Sequence, residues 1–443
     1  MPVLLRGPKH APLVSSHAAL EQLTRATVLV AVLVALAGLV ADLQNTVHFG
    51  GVDLRNRVVG ARALALGLDP YYLKWSPRLP QTLLDPADSP TVPNSRVTVP
   101  PTVLALHRLV AWTPYREQRI AWFVAQWALL LLATWLLAAS APSGARRQAV
   151  WVVGLLVIGG AWLWRLHVER GQIVVLPVAL LAASYRYAVR GGPRRLLASG
   201  MLIGLAAAMR PTIAIMVLPM MTMGAWPALI GFATGAVGGV ACALPLAGMA
   251  AWRSYFASVH GSDAIHLKLV PWTPPYFGGV VDGMGGWARA LSVPTADVSL
   301  QYVVWSLAHF RLSPNALGFC LLVLAVAVCA MVRHRHHEHA PTGVVLVVGY
   351  TLAVVADLFV PAARYSYCDV MLLPPLGAML SGLPAEKLLQ PVPLALLLLG
   401  SLFGIGLEWV PRSVAVGEAC MMAYILWGAL ALAAQPSFVS QEG

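Results

Sequence analysis

The chain has 443 residues, of which 58% are hydrophobic and only 11% charged, against roughly 25% charged residues in soluble domains. A soluble core of that length cannot hide so much apolar surface, so the composition excludes a soluble globular enzyme and makes lipid the solvent. The net charge is +12, but the basic residues lie in short clusters between apolar runs, a pattern of membrane topology and not of nucleic-acid binding.

The first apolar run, 26–40, follows Arg6, Lys9 and Arg25 and is closed by Asp42 without a small-residue cleavage site. It reads as an uncleaved first membrane helix. In all, apolar runs occupy 24–41, 119–139, 149–164, 172–188, 196–209, 212–225, 227–249, 315–332, 341–360, 369–383, 389–406 and 415–433. They predict an all-α polytopic membrane protein of about twelve transmembrane helices forming one domain over 1–443. With the N-terminus inside, Arg146 and Arg147, then Arg186, Arg190, Arg194 and Arg195, then Arg333 and Arg335, and finally Lys387 all fall in cytoplasmic loops. Both termini are then expected in the cytoplasm, with the protein in the cell (inner) membrane.

Two long loops, 42–118 and 250–314, are expected outside, both rich in Trp, Tyr and Pro. In the first, 56–66 reads as an amphipathic helix capped by Gly67 and stopped by Pro70. A second segment, 101–112, is apolar except for His107 and Arg108, and too short to span. It suits a helix lying in the interface. If 99–112 spanned instead, every later Arg cluster would be inverted. The five cysteines are widely spaced with no CxxC, which fits neither a disulfide framework nor a zinc site. The His-rich tract 333–339 reads as a solvated cytoplasmic loop.

Charges that break the topology rule carry the functional signal. Arg165, Arg170, Arg210, Arg364 and Arg412 sit at expected outer helix ends. An anionic ligand on that face, such as a phosphate, would account for them, since a guanidinium offers bidentate donors. Acids are few, only 18, so Asp42, Asp53, Asp69, Asp85 and Asp88 in the first loop stand out, as do Asp263, Asp282 and Asp297 in the second. A carboxylate near cations can act as a general base. Asp69 precedes a proline and reads as a turn former. The turn holding Arg165, His167, Glu169, Arg170 and Gln172 is unusually polar for a membrane boundary, which marks a site.

Several segments resemble a known family. Val52-Asp-Leu-Arg-Asn-Arg-Val-Val-Gly-Ala-Arg62 with Gly67-Leu-Asp-Pro-Tyr-Tyr72 resembles the first external loop of the DUF2029 proteins, glycosyltransferase family 87. Val99-Pro-Pro-Thr-Val-Leu, Gly171-Gln172, Gly204-Leu-Ala-Ala-Ala-Met-Arg-Pro211 and Tyr367-Cys-Asp-Val-Met-Leu-Leu-Pro-Pro375 are similar to later motifs of that family, in the same order. Two departures are Val99 where the family carries Tyr, and Arg364-Tyr-Ser where it often carries Trp and His.

The resemblance implies a GT-C fold and a membrane glycosyltransferase. Its donor would be a polyprenyl-phosphate sugar and its acceptor a glycolipid or glycan on the outer face, with no cofactor or metal. It assigns the general base to Asp53, with Asp42 next. On this reading Arg210, Arg165, Arg170, His167, Gln172, Arg55 and Arg62 hold donor phosphate and sugar, while Tyr367, Arg364 and His260 serve the acceptor. The rivals are a flippase for a lipid-linked sugar and a polysaccharide polymerase or ligase. A flippase wants charged residues at midspan, and here Asp357, near the end of its helix, comes closest.

Overall fold

In lipid a backbone must satisfy its own hydrogen bonds, so apolar runs of this kind fold as helices. The computed structural model describes residues 14–49, 51–267, 269–270, 298–336, 341–388, 390–404 and 413–434. Every regular element among them is helical. The helices are α1 (Val14–Phe49), α2 (Val52–Ala65), α3 (Pro101–Arg108), α4 (Tyr115–Ala138), α5 (Gly144–Val152), α6 (Trp162–Arg170), α7 (Val175–Ala188) and α8 (Pro193–Met209). They continue as α9 (Val217–Thr222), α10 (Trp226–His266), α11 (Leu300–Ala308), α12 (Pro314–Arg335), α13 (Thr342–Ala356), α14 (Leu373–Gly382), α15 (Pro391–Gly404) and α16 (Ser413–Ala433). Arg6, Lys9, Asp282, Asp297, Arg412, residues 337–339 of the His-rich tract and residues 268 and 271–297 of the second predicted loop lie outside the described residues.

The described residues of the twelve apolar runs fall on helical segments, and these segments differ in length. Among the described residues six helices are long and apolar enough to cross a membrane: Arg25–Val47, Tyr115–Ala138, Trp226–Ser262, Pro314–Arg335, Thr342–Phe359 and Ser413–Ala433. A seventh arises if Gly144–Ile158 and Trp162–Arg170, bent by 65°, form one broken span. The differences have a local cause in proline and glycine. The run 149–164 is π-helical over Val153–Ile158 and breaks at Gly159-Gly160. The run 212–225 begins as the 3-10 turn Pro211–Met216, and 369–383 begins inside the 3-10 segment Ser366–Leu372.

The first-loop helices form where the sequence places them, with shifted ends. α2 starts at Val52 instead of 56, and Gly67 follows it at φ +72°. α3 stops at Arg108. Residues 250–266, expected as loop, extend α10 beyond a kink at Gly248 (φ 75°, ψ 159°), three residues after Pro245. That extension carries Ala251 and Tyr255 into a small core with Tyr71, Val97 and Leu104, which docks the first loop on α10. Asp69 closes the turn before it, accepting the Tyr71 N–H (2.9 Å) and the Ser254 hydroxyl (2.6 Å).

The main core is built from α4, α7, α8, α13, α14 and α16 with the π-helical segment. α8 and α10 pack backbone against backbone. Gly200 and Gly204 of α8 face the carbonyls of Ala228 and Phe232, while Gly231 and Gly235 of α10 face those of Leu197 and Met201. A Cβ added at any of the four would sit 1.9–2.1 Å from a carbonyl oxygen. These are two facing small-xxx-small stripes, which let helices approach in lipid where no hydrophobic force drives them together. Gly204→Leu is expected to lower stability by about 1–3 kcal/mol through overpacking. Gly238→Ala, where nothing lies within 4 Å, should leave it unchanged. Thermal melts of both variants in lipid nanodiscs check this, and equal melts would refute the packing argument.

Candidate active site

Two glycine turns set the site. Gly51 (φ +71°) joins α1 to α2, and Gly171 (φ +68°) joins α6 to α7. The Gly51 N–H donates to the Glu169 carbonyl at 2.9 Å, and a Cβ on Gly171 would lie 2.8 Å from Leu54 Cβ. Only glycine tolerates this backbone at such close approach. The Tyr115 hydroxyl donates to the Gly51 carbonyl (2.8 Å), and the Trp122 indole N–H to that of Gly171 (2.9 Å). Arg57, one helical turn past Asp53, also donates to the Gly171 carbonyl.

This contact places Asp53, two residues after Gly51, against the residues that flank Gly171. Arg170 Nε donates to Asp53 Oδ2 at 2.6 Å and Nη2 to Oδ1 at 3.1 Å. The Gln172 amide donates to Oδ2. Arg96 Nη2 lies 3.3 Å from Asp53 Oδ1, while its Nη1 lies 3.4 Å from Asp85 Oδ2. The rings of Tyr365 and Tyr367 cover the Arg170 guanidinium at 5.2 and 5.4 Å, within cation–π range. Four of the sequence-marked residues, Asp53, Arg170, Gln172 and Tyr367, therefore meet from three distant parts of the chain.

Burial pushes the Asp53 carboxyl up, but Arg170 and Arg96 outweigh it and hold the group below its ordinary value. It is ionised at neutral pH and weakly basic in this state. Its neighbours differ. Burial raises Asp85 despite Arg96. Burial also raises Asp88, to about 6, against the Lys74 ammonium 2.9 Å away. Asp85, Asp88 and Arg96 line a cleft with about 330 Å³ of empty space, together with Asn56 and Trp75. Among the described residues no three His, Cys, Asp or Glu side chains cluster as a metal site.

The other expected site residues are held elsewhere. Arg210 pairs with Asp357 (Nη2–Oδ2 2.5 Å), which also accepts from the Thr212 hydroxyl at 2.6 Å. Arg364 is buried between Asp369 (2.7 Å) and Glu418. Arg165 pairs with Asp42 at 3.1 Å, beneath a hydrogen bond from the Trp127 indole. His167 is fully buried, stacked on Trp164 at 5.0 Å, with its Nε2 accepting the Val175 N–H. Arg55 lies over the Tyr115 ring at 4.0 Å. His260 is exposed on α10, its Nδ1 3.0 Å from the Phe256 carbonyl. Asp42, Arg165, His167, Arg210, Arg364 and His260 make no contact with Asp53. Sequence reasoning did not single out Arg96 or Arg57. Arg57 was legible as the i+4 neighbour of Asp53 on one helix face, whereas Arg96 lies in a long loop that a count of short-turn charges passes over.

Arg62 donates to three backbone carbonyls, of Ala111 (2.7 Å), Thr82 (2.9 Å) and Thr113 (3.3 Å). It is a staple of the first loop and not a free cation. Arg62→Met should lower stability by about 1–3 kcal/mol, since buried acceptors lose their donors. The measurement is a thermal melt in nanodiscs, and an unchanged midpoint would contradict this role.

Comparison with known proteins identifies the family. The family model for glycosyltransferase family 87 matches residues 98–361, more than half of the chain. Neither a curated protein nor a solved structure matches it. The matched stretch holds Arg170, Gln172 and Arg210, while Asp53 lies well before it and Tyr367 shortly after it. With its membrane helices and its polar site at a helix junction, the chain belongs to glycosyltransferase family 87.

Proposed function

We propose that this membrane glycosyltransferase takes its sugar from a polyprenyl-phosphate donor. It passes the sugar to a glycolipid or glycan acceptor at the outer face of the membrane, with inversion and with Asp53 as general base. The observation that carries this reading is the buried Asp53 carboxylate gripped by Arg170, Gln172 and Arg96. A base and phosphate-binding cations share one spot, as a single displacement on a sugar phosphate requires.

The chemistry is economical. The acceptor hydroxyl attacks the anomeric carbon while Asp53 takes its proton. The anomeric C–O bond breaks and the electron pair leaves with the lipid phosphate. Arg170, with Arg96, faces the negative charge that grows on that oxygen. Gln172 orients Asp53, and Tyr365 and Tyr367 hold Arg170 in place. A lipid phosphate entering the site competes with Asp53 for Arg170. Losing part of its cationic cover makes Asp53 more basic, so base strength rises when the donor is present. Orienting the site outward follows from the charge clusters at 146–147, 186–195 and 333–335, which favour the cytoplasm.

Asp53→Asn should lower kcat by about 10²–10⁴-fold, the usual worth of a general base, while donor binding persists. Assay of sugar transfer from short-chain polyprenyl-phosphate sugars in nanodiscs is the measurement, and near-normal turnover would sink the assignment. In the free enzyme Asp53 is held low, so the acid limb of kcat/KM lies below the ordinary carboxylate range. Arg96→Gln removes one of the charges that lower it, and the limb should move up by about 1 pH unit. A pH–rate profile of this variant would show the shift, and a downward move would oppose it.

A further inference from the structure

Gln126 stands halfway along α4, one of the helices long enough to cross the membrane, and is only 1% exposed. A buried amide at that depth is costly unless it is hydrogen-bonded. The groups facing one end of its carboxamide include the carbonyl oxygens of His167 and Gln172. The nitrogen takes that end and donates to both, at 3.1 and 3.2 Å. Trp122 lies one turn earlier on the same face of α4. Its indole N–H donates to the Gly171 carbonyl at 2.9 Å and reaches the Gln172 carbonyl at 3.2 Å.

These bonds converge on a stretch with no helix of its own to fix it. Gly171 ends α6 in the left-handed region (φ 68°), and residues 171–174 turn the chain into α7. The Gln172 N–H donates to the His167 carbonyl at 2.9 Å, and the Gln172 carbonyl is the one that Trp122 and Gln126 hold. Both backbone polar groups of Gln172 are thus tied, and its side chain leaves them to meet Asp53 Oδ2. Cohesion between helices alone would be served by an acceptor on any neighbouring segment. Here the carbonyls that the two α4 side chains hold lie at, or just before, the turn that delivers Gln172. We propose that Gln126 is a positioning residue for the transfer reaction. Through the carbonyls of His167 and Gln172 it fixes the turn from which the Gln172 amide holds Asp53 in its catalytic orientation, and Trp122 acts beside it. The inference rests on the function proposed above. A loose turn would let the carboxylate rotate away from the acceptor hydroxyl. It would also remove a hydrogen bond that favours the ionised form of Asp53.

The test is a double-mutant cycle on sugar transfer from a short-chain polyprenyl-phosphate sugar, with the full chain in nanodiscs. Gln126→Met keeps the length of the side chain and removes its donors. It should lower kcat by about 10–100-fold, leave the donor KM within about twofold, and move the acid limb of kcat/KM upward. Gln172→Leu should do the same. Added to Gln172→Leu, Gln126→Met should cost less than about twofold more, because residues that act as one unit are not additive. Trp122→Phe keeps a ring, loses the N–H and should couple to Gln172→Leu in the same way. It carries the test where Gln126→Met does not fold. Normal turnover in Gln126→Met, losses that multiply across the cycle, or an unmoved acid limb would each overturn the proposal. Normal turnover in Asp53→Asn would overturn the proposed function itself, whereas an inactive Asp53→Asn with multiplying losses overturns the role of Gln126 alone.

Discussion

Two charges are buried together where Asp53 meets Arg170, and the rest of the site is arranged to make that tolerable. Taking a carboxylate and a guanidinium out of water costs several kcal/mol per ion unless geometry and further hydrogen bonds compensate. Here the pair is bidentate at 2.6 and 3.1 Å, Gln172 fills another carboxylate position, and Arg96 adds a second cation. Tyr365 and Tyr367 cover the guanidinium face. None of this is possible unless the α1–α2 and α6–α7 turns touch, which only Gly51 and Gly171 allow. Replacing either glycine would separate base from cation before any catalytic group is altered.

The same logic runs through the other arginines. Each one that broke the topology rule and is described has an acid from a distant segment: Arg165 has Asp42, Arg210 has Asp357, and Arg364 has Glu418 besides its neighbour Asp369. Residues 364–369 tie two of these centres together, since Arg364 and Asp369 lie in one pair while Tyr365 and Tyr367 lie on Arg170. The pairs differ in access. The Arg364 side chain is 2% exposed, whereas those of Arg96 and Arg210 are 21% and 20% exposed. An incoming anion therefore meets Arg96 and Arg210 first, and Arg364 acts as internal scaffolding.

These features were unequally legible in the sequence. Hydropathy located the long apolar helices, because the lipid constraint acts on each segment by itself, but it left α11 (Leu300–Ala308) and the 250–266 end of α10 in a loop. Several of the runs are broken or short as helices, because Gly159-Gly160, Pro211 and the 3-10 stretch at 366–372 interrupt them without lowering apolarity. The facing stripes Gly200/Gly204 and Gly231/Gly235 carry a readable four-residue period, yet their pairing depends on two helices meeting. The polar turn at 165–172 announced a site, and Arg170 and Gln172 are in it. His167 from the same turn is instead stacked inside on Trp164, whereas Gln172 lies past the left-handed Gly171 that ends the helix. Ion-pair partners such as Asp53–Arg170 are separated by 117 residues, and no local pattern encodes them.

A carboxylate clamped by two guanidinium groups is a poor base, which bears directly on the proposed mechanism. In a glycosyltransferase a permanently strong base beside a reactive donor would also activate water. A base that is weak until phosphate draws off its cations avoids this, because basicity and leaving-group stabilisation then come from one exchange of partners. Arg170 makes the exchange possible, since its guanidinium can face a carboxylate or a phosphate with the same bidentate geometry. Arg96, reaching both Asp53 and Asp85, makes it graded: it can fall back on Asp85 when it leaves Asp53, so no charge is stranded in the low-dielectric interior. The acidic residues around Arg96 thus serve the reaction by giving a displaced cation somewhere to go.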